Sequence, residues 1–155
     1  MANTFETMSI YLKEHSILTL ATISSVGTPA LDTVDYMWNG ETLFFFTDQR
    51  SRKAANIKNN PSVVAIVADQ DAEFFSAKSV EIYGTVKICE DPIKIGAYMQ
   101  NFMTRRTQFA SLPPNPEMQS NIVVYEVKPI KLRMLDNTVA PGNINELEIV
   151  TAIIT

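Results

Sequence analysis

The distribution of apolar residues along the chain predicts a protein built mainly from β-strands. Ser16–Ile23 (SILTLATI) sets Ile17, Thr19, Ala21 and Ile23 against Leu18, Leu20 and Thr22. With small or apolar residues on both faces, this reads as a strand buried on both sides. A turn at Ser24–Pro29 leads into a second strand, Ala30–Trp38, with Thr33, Asp35 and Met37 facing away from Asp32, Val34 and Trp38. Asn39-Gly40 is a strong hairpin signal and opens a third strand at Thr42, which carries the run Leu43-Phe44-Phe45-Phe46. Ser62–Ala68, rich in valine and isoleucine, predicts a fourth strand. Ser79–Ile88 alternates Val80, Ile82, Gly84, Val86 and Ile88 against Glu81, Tyr83, Thr85 and Lys87, the pattern of a half-exposed strand. Gly84 inside it marks a bulge or a close backbone approach. Asn121–Val127 and Ile130–Leu135 read as two more strands, separated near Pro129.

Three stretches have helical marks. Asn3–Glu14 offers Asn3 as N-cap and puts Phe5, Met8 and Leu12 on one face. Ser51 caps a short helix that Asn59-Asn60-Pro61 stops. Asp91-Pro92 starts a longer one, running to about Arg106 with Tyr98, Met99, Phe102 and Met103 in its apolar stripe. Gln108–Gln119, with Pro113, Pro114 and Pro116, is expected to be an irregular loop. Six or seven strands in hairpin order, with helices at the margins and no βαβ alternation, predict a mainly β fold, an antiparallel barrel. No glycine-rich fingerprint supports a Rossmann domain. The barrel is assigned to residues 1–136. The β-branched tail, 137–155, is expected to pair with a sheet edge or a partner subunit.

Composition narrows the chemistry. The chain has 155 residues, 46% hydrophobic and 19% charged, enough for one domain with a sizeable core. A net charge of -4 argues against a general nucleic-acid or acidic-membrane binder. Cys89 is the only cysteine, which excludes an internal disulfide, a thiolate metal cluster or a two-cysteine redox motif; its strand setting suits a structural role. His15 is the only histidine, so multi-histidine metal sites are excluded and a Ser-His-Asp triad is a poor candidate. Met1–His15 lacks the long apolar run of a signal peptide, and no apolar segment approaches the ~20 residues of a spanning helix. A cytoplasmic protein is the expectation.

Against that acidic background one stretch is basic. No acidic residue falls between Asp48 and Asp69, where Arg50, Arg52, Lys53 and Lys58 all lie. A strand that hands the chain to a helix N-terminus leaves backbone N–H groups unpaired, and those groups with the helix dipole favour an anion such as phosphate. Thr47 and Ser51 add hydroxyls, and Arg52 and Lys53 add charge-assisted donors. A solvated basic helix is the alternative. Arg105 and Arg106 offer two roles, holding an anionic substrate or complementing a helix C-terminus. Tyr36, Trp38 and Phe109 are candidates to stack on a ring or to fill the core.

Leu20-Ala21-Thr22, Gly27-x-Pro29, Phe45-Phe46-Thr47-Asp48-x-x-Ser51-Arg52-Lys53-Ala54 and Asn59-Asn60-Pro61 resemble the pyridoxamine 5'-phosphate oxidase-like FMN-binding split-barrel family. The resemblance covers roughly Leu18 to Ile88. It implies a split β-barrel homodimer with FMN at each subunit interface. Phe46 and Thr47 then line the flavin site, Arg52 and Lys53, with Ser51, contact the FMN phosphate, and Thr33, Val34 and Asp35 belong to the strand beside the isoalloxazine ring. The departures are specific. Asp32 and Met37 stand where the vitamin B6 oxidases carry basic residues, Ser79 where they carry glutamine, and nothing after Leu135 matches their Arg-x-His element. The resemblance therefore implies an FMN-dependent oxidoreductase or flavin reductase, with NADH or NADPH as a possible donor, acting on something other than pyridoxamine phosphate. The alternatives are the deazaflavin F420 in place of FMN, or a non-catalytic flavin- or haem-binding carrier or sensor.

Overall fold

The computed structural model describes residues 4–69 and 72–149. Its strands, β1 (Ile17–Ile23), β2 (Pro29–Asp35), β3 (Met37–Trp38), β4 (Leu43–Asp48), β5 (Ser62–Ala68), β6 (Lys78–Ile88), β7 (Ile122–Asp136) and β8 (Ile144–Glu148), form one antiparallel sheet. Seven of them follow the order β2-β1-β5-β6-β7-β4-β3, and β8 pairs with β7. The two ends of that path, β2 and β3, are consecutive in the chain and separated by Tyr36 alone. The sheet must therefore curl until its edges approach, which makes it a split barrel.

The stretch expected as one strand, Ala30–Trp38, is thus two. β2 pairs with β1 from Ile17↔Asp35 to Ile23↔Pro29, whereas Met37 and Trp38 pair with Phe44 and Leu43 of β4. Burial drives the change of partner: Tyr36 is 1% exposed, with its hydroxyl donating to Leu12 O at 2.7 Å and its N–H to Ser16 O at 2.9 Å. Trp38 Nε1 likewise donates to Ser9 Oγ at 2.9 Å. Both aromatics are core residues whose polar tips are satisfied by or beside the first helix, α1 (Thr4–Glu14). Asn3, expected to cap that helix, and residues 150–155 of the tail lie outside the described residues.

The apolar run in β4 has a simple physical origin: both of its faces are covered. Leu43 and Phe45 point into the barrel core with Leu18, Leu20, Ile82 and Val127. Phe44 and Phe46 face the opposite side, where α3 (Pro92–Arg105) lays Tyr98 and Phe102 over them. Asp91 caps α3 by accepting from Ile93 N–H at 2.9 Å, and Pro92 opens it. β1 departs from its expected two-sided burial. Leu18, Leu20 and Thr22 are buried, while on the outer face Thr19 and Ala21 are half-buried and Ile17 and Ile23 are exposed, so the described residues leave that face incompletely covered.

Pro129 does not divide the last long strand. β7 runs through it for 15 residues, and the register shift sits opposite, between Tyr83 and Gly84. Gly84 faces Pro129 and Tyr83 faces Lys131, so Ile130 is the extra residue of a bulge. Proline has no N–H for the ladder, and the bulge accommodates that loss. A side chain at Gly84 has no room: a Cβ there falls 2.6 Å from Lys128 O and 2.7 Å from Val127 Cγ1. The proline-rich segment is also more ordered than expected, forming α4 (Thr107–Ala110) and α5 (Pro116–Asn121). Asn115 caps α5 by accepting from Met118 N–H, and Pro116 occupies its first turn, where a missing N–H costs nothing. No helix among the described residues is long and apolar enough to cross a membrane.

His15 joins the end of α1 to β5. Its Nδ1 lies 2.7 Å from Tyr11 O and its Nε2 2.6 Å from Asp69 Oδ1, two acceptors that only the doubly protonated ring satisfies. Burial pulls the His15 pKa down, but the hydrogen bonds to Asp69 and Tyr11 O and the charges of Asp69 and Glu14 outweigh it and leave the pKa raised. A folded pKa above the unfolded value of about 6.5 means the stabilisation is complete below that pH and is lost as pH rises through the folded value. Two outcomes are expected. His15→Gln should remove this fall in stability above the unfolded value of about 6.5, read as the difference in denaturation midpoint between acidic and alkaline buffers. Gly84→Ala should lower stability by about 2–3 kcal/mol in urea unfolding, because its Cβ meets backbone that cannot yield.

Candidate functional site

β4 ends at Thr47-Asp48 and the chain turns directly into α2 (Arg52–Asn59). Ser51 is the N-cap, its Oγ accepting from Ala54 N–H at 3.3 Å and lying 3.2 Å from Thr47 Oγ1. The remaining N–H groups of the first turn have no partner within the helix. Two contacts fix where that turn points. Asn56, buried on the inner face of α2, donates from Nδ2 to Thr22 Oγ1 of β1 at 3.0 Å. Ala54 and Ile57 pack into the barrel core beside it.

A cleft of about 430 Å³ opens beside this turn, in the size range of small-molecule sites. Thr33, Val34 and Asp35 of β2 form one wall, and Phe46, Thr47 and Lys53 form another. Asp48, Met118 and Ile122 complete it. Six residues singled out in the sequence thus meet in one cavity. Ser51 and Arg52 stand outside its lining, Ser51 as the cap. Arg52 is mostly exposed, donating from Nη2 to Leu31 O at 3.0 Å and lying 3.3 Å from Asp32 Oδ1. Lys53 Nζ lies 3.9 Å from the same carboxylate oxygen. Arg50 is committed elsewhere: it binds Asp48 and reaches Glu117 of α5 at 2.7 Å. Its hydrogen bonds hold the Asp48 carboxyl down to about 2. This bridge secures α5, which brings Met118 to the cleft. The sequence signal for that missed wall was Asn115-Pro116, a cap followed by a first-turn proline.

A second cavity, of about 650 Å³, lies at the end of α3 and is lined by Phe102, Arg105, Arg106, Phe109 and Leu112, among others. Phe102 sits between the two regions, edge-on to Phe46 at 4.9 Å and to Phe109 at 5.1 Å. The arginines do more than complement a helix terminus. Arg105 grips Asp35 with both terminal nitrogens, at 3.0 and 2.9 Å, and donates from Nη2 to Tyr36 O at 3.1 Å. Arg106 adds an Nε bond to Asp35 Oδ2 at 3.0 Å and an Nη2 bond to Ser16 Oγ. Asp35 therefore carries two guanidinium groups while its residue lines the first cavity. Cys89 is 4% exposed and burial raises its thiol pKa, the setting of a structural cysteine. Among the described residues no cluster of His, Cys, Asp or Glu is placed to hold a metal ion.

Comparison with known proteins agrees with the fold. Residues 6–136 match the family model described as Pyridoxamine 5'-phosphate oxidase. Among solved structures, a heme binding protein from Mycobacterium smegmatis superposes with a TM-score of 0.75 at 13% identity, over 96% of this chain and 59% of that one. General Stress Protein 26 from Bacillus anthracis gives 0.66 at 19% identity, over 92% and 97% of the two chains. An F420 reductase gives 0.63 at 27% identity, over 85% and 98%. No match is found among curated proteins.

Asp35 is the acceptor that ties α3 to the strand break. Asp35→Ala leaves two guanidinium groups without their main partner and should lower stability by about 1–3 kcal/mol in chemical denaturation. Arg106→Lys, which cannot bond both Asp35 and Ser16 in the same planar geometry, should give a smaller loss.

Proposed function

We propose a flavin-site function for this chain, which belongs to the pyridoxamine 5'-phosphate oxidase family. The cleft between β2, β4 and α2 binds FMN, and the protein is an FMN-dependent oxidoreductase or flavin reductase. The observation that carries this reading is the meeting of Thr33, Val34, Asp35, Phe46, Thr47 and Lys53 in one cavity at the N-terminus of α2. The residues suit the group. Phe46, Met118 and Ile122 supply apolar surface for a planar ring, the β2 backbone and Thr33 supply polar edges, and Lys53, Arg52 and the first turn of α2 supply the phosphate end. Bound flavin would supply hydride or electron transfer, chemistry that requires no side-chain nucleophile and fits a chain with one histidine and one buried cysteine.

The protein's part is to bind, orient and shield. Asp35, locked by Arg105 and Arg106, holds the end of β2 rigidly beside the cleft. The cavity beyond Phe102, lined by Arg105, Arg106 and Phe109, is suited to a second reactant with an acidic group and an apolar body, NADH or NADPH included. The incompletely covered outer face of β1 and the exposed Leu31 of β2 support a homodimer as the working unit. Asp32 and Met37, in places where B6 oxidases are basic, favour a substrate other than pyridoxamine phosphate.

F420 in place of FMN is the second reading, favoured by the 27% identity to an F420 reductase. A haem carrier is less well supported: both ring nitrogens of His15 are engaged, with Tyr11 O and Asp69.

The purified protein titrated with FMN should give a perturbed flavin absorption band and quenched fluorescence; absence of binding refutes the reading, and binding of F420 alone establishes the second. The double variant Arg52→Ala/Lys53→Ala should weaken FMN on the order of 10- to 100-fold and riboflavin, which has no phosphate, less than twofold. Equal loss for both flavins would refute the phosphate role of these cations.

A further inference from the structure

Asp32 has an arrangement that fold stability does not explain. Its Oδ1 lies 3.3 Å from Arg52 Nη2 and 3.9 Å from Lys53 Nζ, contacts of charge rather than close hydrogen bonds. Its Oδ2 is buried and has no hydrogen-bond partner among the described residues. A buried acceptor left unpaired costs free energy, and a carboxylate kept for structure is normally bonded at both oxygens. Asp35, three residues along the same strand, shows that contrast with three guanidinium hydrogen bonds shared over both of its oxygens.

The consequence lies in charge. Arg52 and Lys53 bring two positive charges to the start of α2, and Asp32 removes one of them. A phosphomonoester carries about 1.5 to 2 negative charges at neutral pH. Such a ligand approaching these cations meets a carboxylate already seated among them, in a partly buried setting where like charges are poorly screened. Lys53 is 16% exposed and cannot easily leave Asp32 for solvent; Arg52, 63% exposed, can.

We propose that Asp32 is the residue that sets ligand charge selectivity: it occupies the cation pair in place of a phosphate and so depresses the preference for a phosphorylated flavin over an unphosphorylated one. This rests on the flavin reading of the cleft. Asp32→Asn keeps the shape, removes the competing charge and adds an N–H donor.

The test is a fluorescence titration of FMN and of riboflavin into the wild-type protein, Asp32→Asn and Asp32→Ser, each checked for a cooperative thermal transition. The expected result is at least tenfold tighter FMN binding in both variants, with riboflavin changed less than twofold. FMN bound equally or more weakly by the folded variants overturns the inference and leaves the flavin reading standing. Failure of every protein to bind either flavin overturns both. Equal tightening of FMN and riboflavin also overturns it, since the effect then owes nothing to phosphate. If one variant does not fold, the other decides.

Discussion

The exchange of partners at Tyr36 is the constraint on which the rest of the structure depends. One residue separates a strand paired on the β1 side of the sheet from one paired on the β4 side. That residue has almost no freedom: its N–H is bound to Ser16, its carbonyl to Arg105, and its hydroxyl to Leu12, with the ring buried between them. Because the chain passes directly from one edge of the sheet to the other, a flat sheet is geometrically impossible. The curl brings the end of β2 against β4, and the cleft is the space left between them. Asp35, immediately before the break, is held from outside by Arg105 and Arg106, so α3, the barrel and the cleft wall are mechanically one unit.

The anion end of the cleft follows from a different local rule. β4 is covered on both faces, which commits its whole length to the sheet until Thr47 and Asp48. The chain then turns on the Ser51 cap, and α2 is docked by the Asn56–Thr22 bond. The four cations between Asp48 and Asp69 have different fates. Arg50 braces α5, Lys58 sits at the far end of the helix, and only Arg52 and Lys53 stand by the cleft, both already facing Asp32. A count of positive charge in the sequence therefore overstates what is available to a ligand.

Much of this was legible in the chain. The Ser51 and Asp91 caps are local features, decided by residues close in sequence, and they appear where the pattern puts them; Gly84 shows in the sequence as an interruption of its strand, though its crowding comes from Val127 and Lys128. What could not be read was decided by distant partners. Residues 30–38 look like one strand because nothing local marks Tyr36 as the point where pairing changes; that depends on Leu12, Ser16 and Arg105. Pro129 looks like a break because its compensation, Gly84, lies on another strand. The short helix at Asn115-Pro116 was hidden among prolines that suggest an irregular loop, and with it went Met118 of the cleft. The ligation of Asp35 by two arginines some 70 residues away in sequence is likewise a tertiary fact.

The central claim is that the start of α2 and the wall of β2 and β4 together hold a phosphorylated flavin. A crystal structure of the protein grown with FMN tests it most directly. The account predicts the phosphate at the first turn of α2 within bonding distance of Lys53 and Arg52, and the ring along β2 beside Phe46. Density for FMN in the Arg105–Arg106 cavity alone, with the α2 turn untouched, would contradict it.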